Sequence, residues 1–143
     1  MTLVPALLEK CAPEKFVFMG GNIAEEPNFH GYEFNHALDR EAFTKAVNYP
    51  HIAVTMDSCR NRFLNVQNEN IEGDSLLSRI VARARELTLM SGEKGCYLWD
   101  DIAVKCLRHP NWFTVRYAED RDGNELTYAE YVHGEKYLKL LDL

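Results

Sequence analysis

A carboxylate and an amide stand two residues apart at Glu33 and Asn35, shortly after Gly20-Gly21-Asn22. Residues two apart in an extended loop share a face, so both side chains would point the same way while Phe34 points back to the core. A carboxylate and an amide on one face can bind a diol or a hydroxymethyl group, and two glycines let the backbone approach a ligand closely. Spacing alone favours the alternative, in which both side chains only satisfy backbone groups of the loop.

A second group of residues, Trp99-Asp100-Asp101, precedes the apolar run 102–104. An Asp at the start of a helix is most often a cap, and spacing alone favours that role for Asp100. In the alternative, Asp100 is an anionic metal ligand and Trp99 is a stacking surface for an aromatic base. Simple core packing is the other interpretation of Trp99.

Two further acidic positions are predicted to be structural. Asp57 follows a strand, where it could cap a turn or face a site, and the structural role is favoured. The segment 120–124 reads Asp-Arg-Asp-Gly-Asn, but no Glu stands where an EF-hand calcium loop needs one. We therefore predict a hairpin turn there. Sequence spacing indicates no His–Ser or His–Cys pair, although such pairs assemble in space.

Composition limits the classes of function. The chain has 143 residues, 46% of them hydrophobic and 27% charged, which suits a single globular domain spanning 1–143. A net charge of −6 with a pI near 5.3 argues against nucleic acid or an anionic membrane as the main partner, because both need a basic patch. A neutral or cationic ligand, or a divalent cation, fits this charge better.

The four cysteines show no C-x-x-C spacing and are predicted to be free thiols in a reducing compartment. The first residues do not resemble a signal peptide, and no apolar run approaches the ~20 residues that a membrane span needs. We therefore expect a cytoplasmic protein.

Apolar runs and helical periodicity predict an α/β fold. The predicted elements, in chain order, are helix 3–11, strand 16–19, helix 40–48 capped by Asp39, strand 52–56, a helix from Asp74 or Ser75 to about Gly92, helix 101–109, strands 112–118 and 126–132, and a closing helix at 137–141. Residues 22–35 form a long loop, which is more often functional than a short one. We expect a partial Rossmann-like parallel sheet flanked by helices, with a C-terminal β-hairpin, and ligands beyond the carboxyl ends of its strands.

Several segments, taken in order, carry a family resemblance. They are Phe16 to Asn22 (an apolar strand ending in Met-Gly-Gly), Glu33-Phe34-Asn35 with Asp39-Arg40-Glu41-Ala42 (Glu-Phe-Asn…Asp-Pro-Glu-Ala), Ile52 to Asp57, Trp99 to Val104 (His-Asp-Pro-x-Ala-Val) and Tyr137 to Leu141. Over nearly the whole chain the sequence resembles the inosine-uridine nucleoside hydrolase family.

The resemblance implies hydrolysis of the N-glycosidic bond of a ribonucleoside, with calcium as the cofactor that helps to activate water. By position, Glu33 would contact the ribose 5′-hydroxyl, Asn35 the other ribose hydroxyls, and Asp100 would ligate calcium. The remaining residues of the implied substrate-binding set are Asn22, Asn28 and Trp99.

The chain resembles only the C-terminal half of that family. The family's Asp-x-Asp-x-x-x-Asp-Asp loop, which supplies most calcium carboxylates and the general base, has no counterpart, and Trp99 stands where many members have His. Calcium prefers about six to eight oxygen ligands, so Asp100 alone cannot make that site. We therefore expect an N-terminally truncated hydrolase that is impaired or depends on another chain for the metal site.

Two alternatives remain open, and both bear on the partners. One is a non-catalytic remnant or interaction module on the same scaffold, and the other is an unrelated small α/β protein in which the highlighted residues are structural. A truncated sheet would expose an edge that invites pairing, so we expect a homo-oligomer or a partner chain that covers it. The interpretation as an unrelated α/β protein predicts a closed monomeric sheet instead.

Overall fold

The computed structural model describes residues 1–24, 26–61, 63–66, 75–90, 92 and 96–134. Its elements are α1 (Val4–Cys11), β1 (Phe16–Met19), α2 (Phe34–Leu38), α3 (Arg40–Val47), β2 (His51–Val54), α4 (Met56–Cys59), β3 (Asn65–Val66), α5 (Leu76–Met90), β4 (Cys96–Tyr97), α6 (Trp99–Arg108), a 3-10 turn (Pro110–Trp112), β5 (Phe113–Glu119) and β6 (Glu125–Tyr131). They divide between two units. The first comprises 1–59 and 99–133, and the second the described residues within 60–98 together with Gly134.

Four strands form one open sheet in the order β1-β2-β6-β5. β1 is parallel to β2 from Phe16↔His51 to Met19↔Val54, and β2 is parallel to β6 at Ala53↔Tyr128. β5 runs antiparallel to β6 along its whole length. The α/β class is confirmed, but the prediction of a parallel sheet is corrected: the sheet is mixed, because the hairpin joins it through β6.

One face of the sheet carries the hydrophobic core. The core cluster consists of Phe18, Phe43, Val47, Ala53 and Leu126. Its helical members belong to α3, which forms here because Asp39 caps it: Oδ1 accepts a hydrogen bond from the Ala42 N–H at 3.0 Å. The apolar residues of α3 recur at helical spacing, and all four predicted core positions of this helix are buried. The prediction for this helix is confirmed.

The other face of the sheet is covered by α6, which lies against β1 and β2 and buries Ile102 and Cys106. Successive residues of a strand point to opposite faces, so Met19 points away from the core cluster that contains Phe18. Met19 shares a cleft with Trp99, the first residue of α6. The first turn of α6 therefore lies near the carboxyl end of β1.

The β5–β6 hairpin turns around Asp120, as predicted. Its Oδ1 accepts from the backbone N–H groups of Asp122 and Asn124, each at 2.9 Å, and its Oδ2 accepts from Asn124 Nδ2 at 2.9 Å. Gly123 has a φ of +81°, which glycine adopts without steric cost. These contacts confirm the hairpin turn.

Several element boundaries differ from the predicted ones. The strand predicted at 52–56 ends at Val54 and is followed by the single turn α4, which contains Asp57. The helix predicted from 101 begins at Trp99, and α2, which was not predicted, begins at Phe34 within the end of the loop predicted at 22–35. The closing helix predicted at 137–141 lies outside the described residues.

In the second unit, the short strands β3 and β4 pair in antiparallel fashion, and neither was predicted. The long helix was predicted and is α5, which buries Ser78 and Val81. Its exposed apolar side chains are Leu76, Ile80, Leu87, Leu89 and Met90. No helix within the described part of the chain is long and apolar enough to cross a membrane.

Candidate functional site

A cleft of about 340 Å³ opens at the carboxyl end of β1, beside the first turn of α6. It is lined by Met19, Asn28, Glu33, Phe34, Asn35, Trp99 and Asp100. Five of the six positions predicted as site residues belong to this set, and Asn22 does not. Residues from three separate segments of the sequence therefore converge on one site.

Glu33 is 1% exposed, and its carboxylate accepts hydrogen bonds from three backbone N–H groups. Oε1 accepts from Asn35 at 2.9 Å, and Oε2 accepts from Gly21 and His36, each at 3.0 Å. Two of these bonds cap α2, and the third ties α2 to the chain that follows β1. A carboxylate has roughly four acceptor positions, so one position on Oε1 is left for a ligand hydroxyl.

Phe34 faces outward, which corrects the prediction that it points back to the core. Its side chain is 45% exposed, and its ring packs edge-on against Phe29 with 5.2 Å between centroids. The prediction assumed an extended loop, but the backbone is helical from Phe34 onward, so successive side chains are turned by about 100° instead of 180°. Glu33, not Phe34, is therefore the buried residue of this pair. Phe34 thus lines the cleft, a role that the sequence reasoning missed.

The side-chain amides of Asn35 and Asn28 each make hydrogen bonds within the protein through only one of their two polar groups, the NH2 group or the oxygen. Asn35 Nδ2 donates to the carbonyl oxygen of Met19 at 3.2 Å and lies 3.4 Å from its Sδ, which leaves Oδ1 as an acceptor. Asn28 Oδ1 accepts from the Phe34 N–H at 3.0 Å, which leaves Nδ2 as a donor. A hydroxylated ligand can satisfy both groups, because a hydroxyl donates and accepts.

Asn22 is 2% exposed and does not line the cleft. The two residues that follow it are held by Asp57. Asp57 Oδ2 accepts from the Ile23 N–H at 2.7 Å, and Asp57 Oδ1 accepts from the Ala24 N–H at 2.8 Å. Asp57 therefore has the structural role that the sequence favoured, and it fixes the segment that follows Gly21.

Trp99 and Asp100 are the first two residues of α6. Because the helix begins at Trp99, Asp100 lies within its first turn and not at the cap position that spacing favoured. A carboxylate in the first turn is stabilised by the helix dipole. Trp99 is half-buried and Asp100 is exposed, and both line the cleft. The site thus places an indole next to an accessible carboxylate.

The buried thiol of Cys59 lies near the carboxylates of the site. Burial raises the pKa of Cys59 far above its ordinary value, and the charges of Asp100, Glu33 and Asp57 raise that pKa further. The thiol is therefore protonated at neutral pH and is a poor nucleophile.

His36 links α2 to the hairpin turn. Its ring is buried and stacks on Phe43 with 4.0 Å between centroids. Nε2 lies 3.3 Å from Asp122 Oδ2 without hydrogen-bond geometry, and Nδ1 lies 4.0 Å from Asp120 Oδ2. Burial lowers the pKa of His36, against the opposite effect of the two aspartates. Sequence reasoning missed this group because its members are far apart along the chain.

Calcium is the cofactor that the resemblance implies. Among the described residues, no group of three or more His, Cys, Asp or Glu side chains could hold a metal ion. In the cleft, the oxygens of Glu33 are mostly occupied by backbone N–H groups, and Asp100 offers the accessible carboxylate. Calcium prefers about six to eight oxygen ligands, so the described residues of the cleft do not fit a complete calcium site.

A larger groove, of about 790 Å³, lies in the same unit between residues 47–51 and 117–127. Its histidine, His51, is occupied structurally: Nδ1 pairs with the Tyr49 carbonyl at 2.8 Å, and Nε2 accepts from the Thr127 N–H at 3.2 Å. The groove lies at the amino end of β2, whereas ligands of such sheets bind at the carboxyl ends. We therefore place the candidate site in the smaller cleft.

Comparison with known proteins does not add a family assignment. No protein-family model matches the sequence, and no curated protein matches it significantly. The resemblance to nucleoside hydrolases therefore rests on the quoted motifs, and it stays a prediction.

Proposed function

We propose that the cleft binds a ribonucleoside, and that the chain is a nucleoside hydrolase-like protein whose hydrolytic activity depends on carboxylates from another chain. The convergence of five residues on one cleft carries this proposal. They are Asn28, Glu33, Asn35, Trp99 and Asp100. All five were implied by the family resemblance, and the segment 28–35 is separated from Trp99 and Asp100 by more than 60 residues in the sequence.

The cleft offers a matching group for each part of a ribonucleoside. Trp99 and Phe34 supply aromatic surface for a planar base. Acceptors on Glu33, Asn35 and Asp100 suit the hydroxyls of a ribose. The volume of about 340 Å³ falls at the lower end of the range of small-molecule pockets, roughly 300–1,000 Å³.

Hydrolysis makes demands that the described residues do not meet alone. An N-glycosidic bond is broken with the help of a base that activates water and a group that stabilises the departing base. Glu33 is engaged by three backbone N–H groups, which leaves Asp100 as the accessible carboxylate of the cleft. We therefore assign no general base within the described part of this chain, and we place the missing carboxylates, with the calcium they would hold, in a site completed by a second chain.

The alternative proposal is a non-catalytic nucleoside hydrolase-like remnant that still binds the ligand. It accounts for Glu33 as well as the first proposal does, because that carboxylate is needed to cap α2 whether or not chemistry takes place. The two candidates differ in whether ribose is released after the ligand is bound.

A partner chain is part of the first proposal. In the described part of the structure, no strand pairs with β1 on the side away from β2. An open edge of this kind invites pairing, so a homo-oligomer or a partner chain is expected to cover it. Light scattering after size exclusion measures this directly, and a monomer mass at micromolar concentration would contradict a homo-oligomer. The expected cytoplasmic location belongs to the same proposal.

Tryptophan fluorescence tests ligand binding. The chain has two tryptophans, and Trp112 lies between His109 and His133, with 4.1 and 5.2 Å between ring centroids. The variant Trp112→Phe therefore leaves Trp99 as the only indole. Titration of this variant with inosine should change the fluorescence in a saturable way, because a stacked base alters the surroundings of the ring. A flat titration would contradict nucleoside binding.

Two further measurements separate the hydrolase from the remnant. Calorimetric titration with calcium, with and without inosine, measures the metal site, and a reducing-sugar assay measures ribose release. The isolated chain should bind calcium weakly and release little ribose. Tight calcium binding together with rapid ribose release by the isolated chain would contradict the dependence on a second chain.

A further inference from the structure

Asp100 is the carboxylate of the cleft that the fold leaves accessible. Its side chain is exposed, and it lies in the first turn of α6, where the helix dipole favours a negative charge. Within the described residues, no hydrogen bond or ion pair occupies its oxygens. Glu33, the other acidic side chain of the cleft, has at most one acceptor position left beside its three backbone N–H partners.

The acceptors of the cleft are too few for a calcium ion. Asp100 contributes two oxygens, Glu33 one remaining position on Oε1, and Asn35 its Oδ1, since Asn35 Nδ2 donates to Met19. This set falls short of the about six to eight oxygens that calcium prefers, and it contains a single fully available negative charge. A cation bound here would keep most of its water.

The same acceptors suit a vicinal diol. The two hydroxyls of such a diol can donate to the two oxygens of one carboxylate, and hydrogen bonds to a charged acceptor are stronger than neutral ones. Trp99 precedes Asp100 in the helix and lines the same cleft. A ligand that packs on Trp99 would therefore shield its hydrogen bonds to Asp100 from water. Asn35 Oδ1 can accept from a further hydroxyl.

We propose that Asp100 binds the vicinal diol of the ligand directly, and that the cleft takes up a ribonucleoside without a divalent cation. This inference rests on the proposed function, because it names how the same cleft recognises the sugar. It assigns to Asp100 a hydrogen-bonding role in place of the metal-ligand role that the resemblance implies. It also defines the ligand class as nucleosides with both the 2′- and the 3′-hydroxyl.

The experiment compares inosine binding with the metal removed and with the metal added. Trp112→Phe protein is titrated with inosine in an excess of chelator and again in calcium, and the dissociation constants should agree within about two-fold. Titration with 2′-deoxyinosine in chelator should give binding about ten-fold weaker, the lower end for loss of one hydrogen bond to a charged group at an exposed position. Asp100→Asn, also in chelator, should weaken inosine binding by about ten-fold or more, because the amide replaces one acceptor oxygen with a donor.

Asp101→Asn is the matched control, because it removes the same charge from the same helical turn at a residue that does not line the cleft. It should leave inosine binding unchanged in chelator, and circular dichroism checks that both variants fold. Inosine binding that requires calcium, or is strengthened more than ten-fold by it, would overturn the inference and leave the proposed function standing. Equal binding of inosine and 2′-deoxyinosine would also overturn it. Absence of inosine binding in both conditions would overturn the proposed function itself.

Discussion

Replacing Glu33 by Gln tests whether this side chain is required by the fold. The substitution keeps the size of the side chain but turns one carboxylate oxygen into an NH2 group, which cannot accept a hydrogen bond. In the better of two orientations, the remaining oxygen still accepts from the N–H groups of Gly21 and His36. The new NH2 group then faces the Asn35 N–H, which loses its acceptor.

The expected loss follows from these three bonds. One bond to a charged acceptor is removed, worth about 1.5–3 kcal/mol, and two others become neutral bonds worth about 0.5–1.5 kcal/mol each. Each weakened bond therefore loses about 1–1.5 kcal/mol, and together with the lost bond we expect the free energy of unfolding to fall by about 3.5–6 kcal/mol, a large part of the ~5–15 kcal/mol that a domain usually has. Glu33→Ala removes all three acceptors from buried or half-buried donors, and it should cost about 1–2 kcal/mol more.

Urea unfolding followed by circular dichroism measures this loss, with Glu41→Gln as the matched control. Glu41 is likewise near the start of a helix, in the first turn of α3, but its side chain is exposed and makes one ion pair with Lys45 at 2.7 Å. Its substitution should leave the midpoint unchanged, because exposed ion pairs contribute little. Equal midpoints for Glu33→Gln and the wild type would refute the structural role of Glu33.

Three further perturbations test the packing around the cleft. In urea unfolding, Gly21→Ala should destabilise the protein by at least about 1–2 kcal/mol more than the control Gly31→Ala. Both glycines have a positive φ, +81° and +89°, but only at Gly21 would a Cβ lie 3.1 Å from Phe43 and 3.3 Å from Leu126. Equal losses for the two variants would contradict this. Phe43→Ala should lower the free energy of unfolding by about 3–5 kcal/mol, since the side chain is 0% exposed, and an unchanged melting temperature would count against it. Burial holds the pKa of His36 below its ordinary 6.5, so below about pH 6.5 the unfolded chain takes up a proton that the folded chain does not, and stability falls. His36→Gln should flatten that fall in urea midpoints measured across this range, and an unchanged pH dependence would contradict it.

The parts of the fold that could be predicted are those governed by local rules. The helix α3 combines an Asp cap with apolar residues at helical spacing, and the hairpin combines two alternating strands with an Asp-Gly-Asn turn. In each case the interactions that form the element lie within a few residues of one another. For that reason the sequence alone predicted both elements.

The parts that could not be predicted depend on contacts between distant residues. The position of β6 beside β2 is set by pairing between residues more than 70 apart in the sequence, as in Ala53↔Tyr128. The periodicity of the sequence does not indicate such a pairing. His36 meets Asp120 and Asp122 only after the hairpin has joined the sheet. The short helix α2 was missed because Glu is not among the preferred N-cap residues. The carboxylate of Glu33 is held in the capping position partly by the Gly21 N–H, twelve residues earlier.

The contrast between Glu33 and Asp100 decides which motif residue argues for function. Glu33 caps α2 and binds Gly21, so the fold requires a carboxylate there in an enzyme, in a binding protein and in an inactive remnant alike. Its presence supports a shared scaffold and says little about chemistry. Asp100 is exposed, and its stabilising effect on the helix dipole is equally available to the adjacent Asp101. A carboxylate that the scaffold can do without, placed beside Trp99 in a cleft, is the stronger argument for a ligand, and for that reason the decisive variants are those at Asp100.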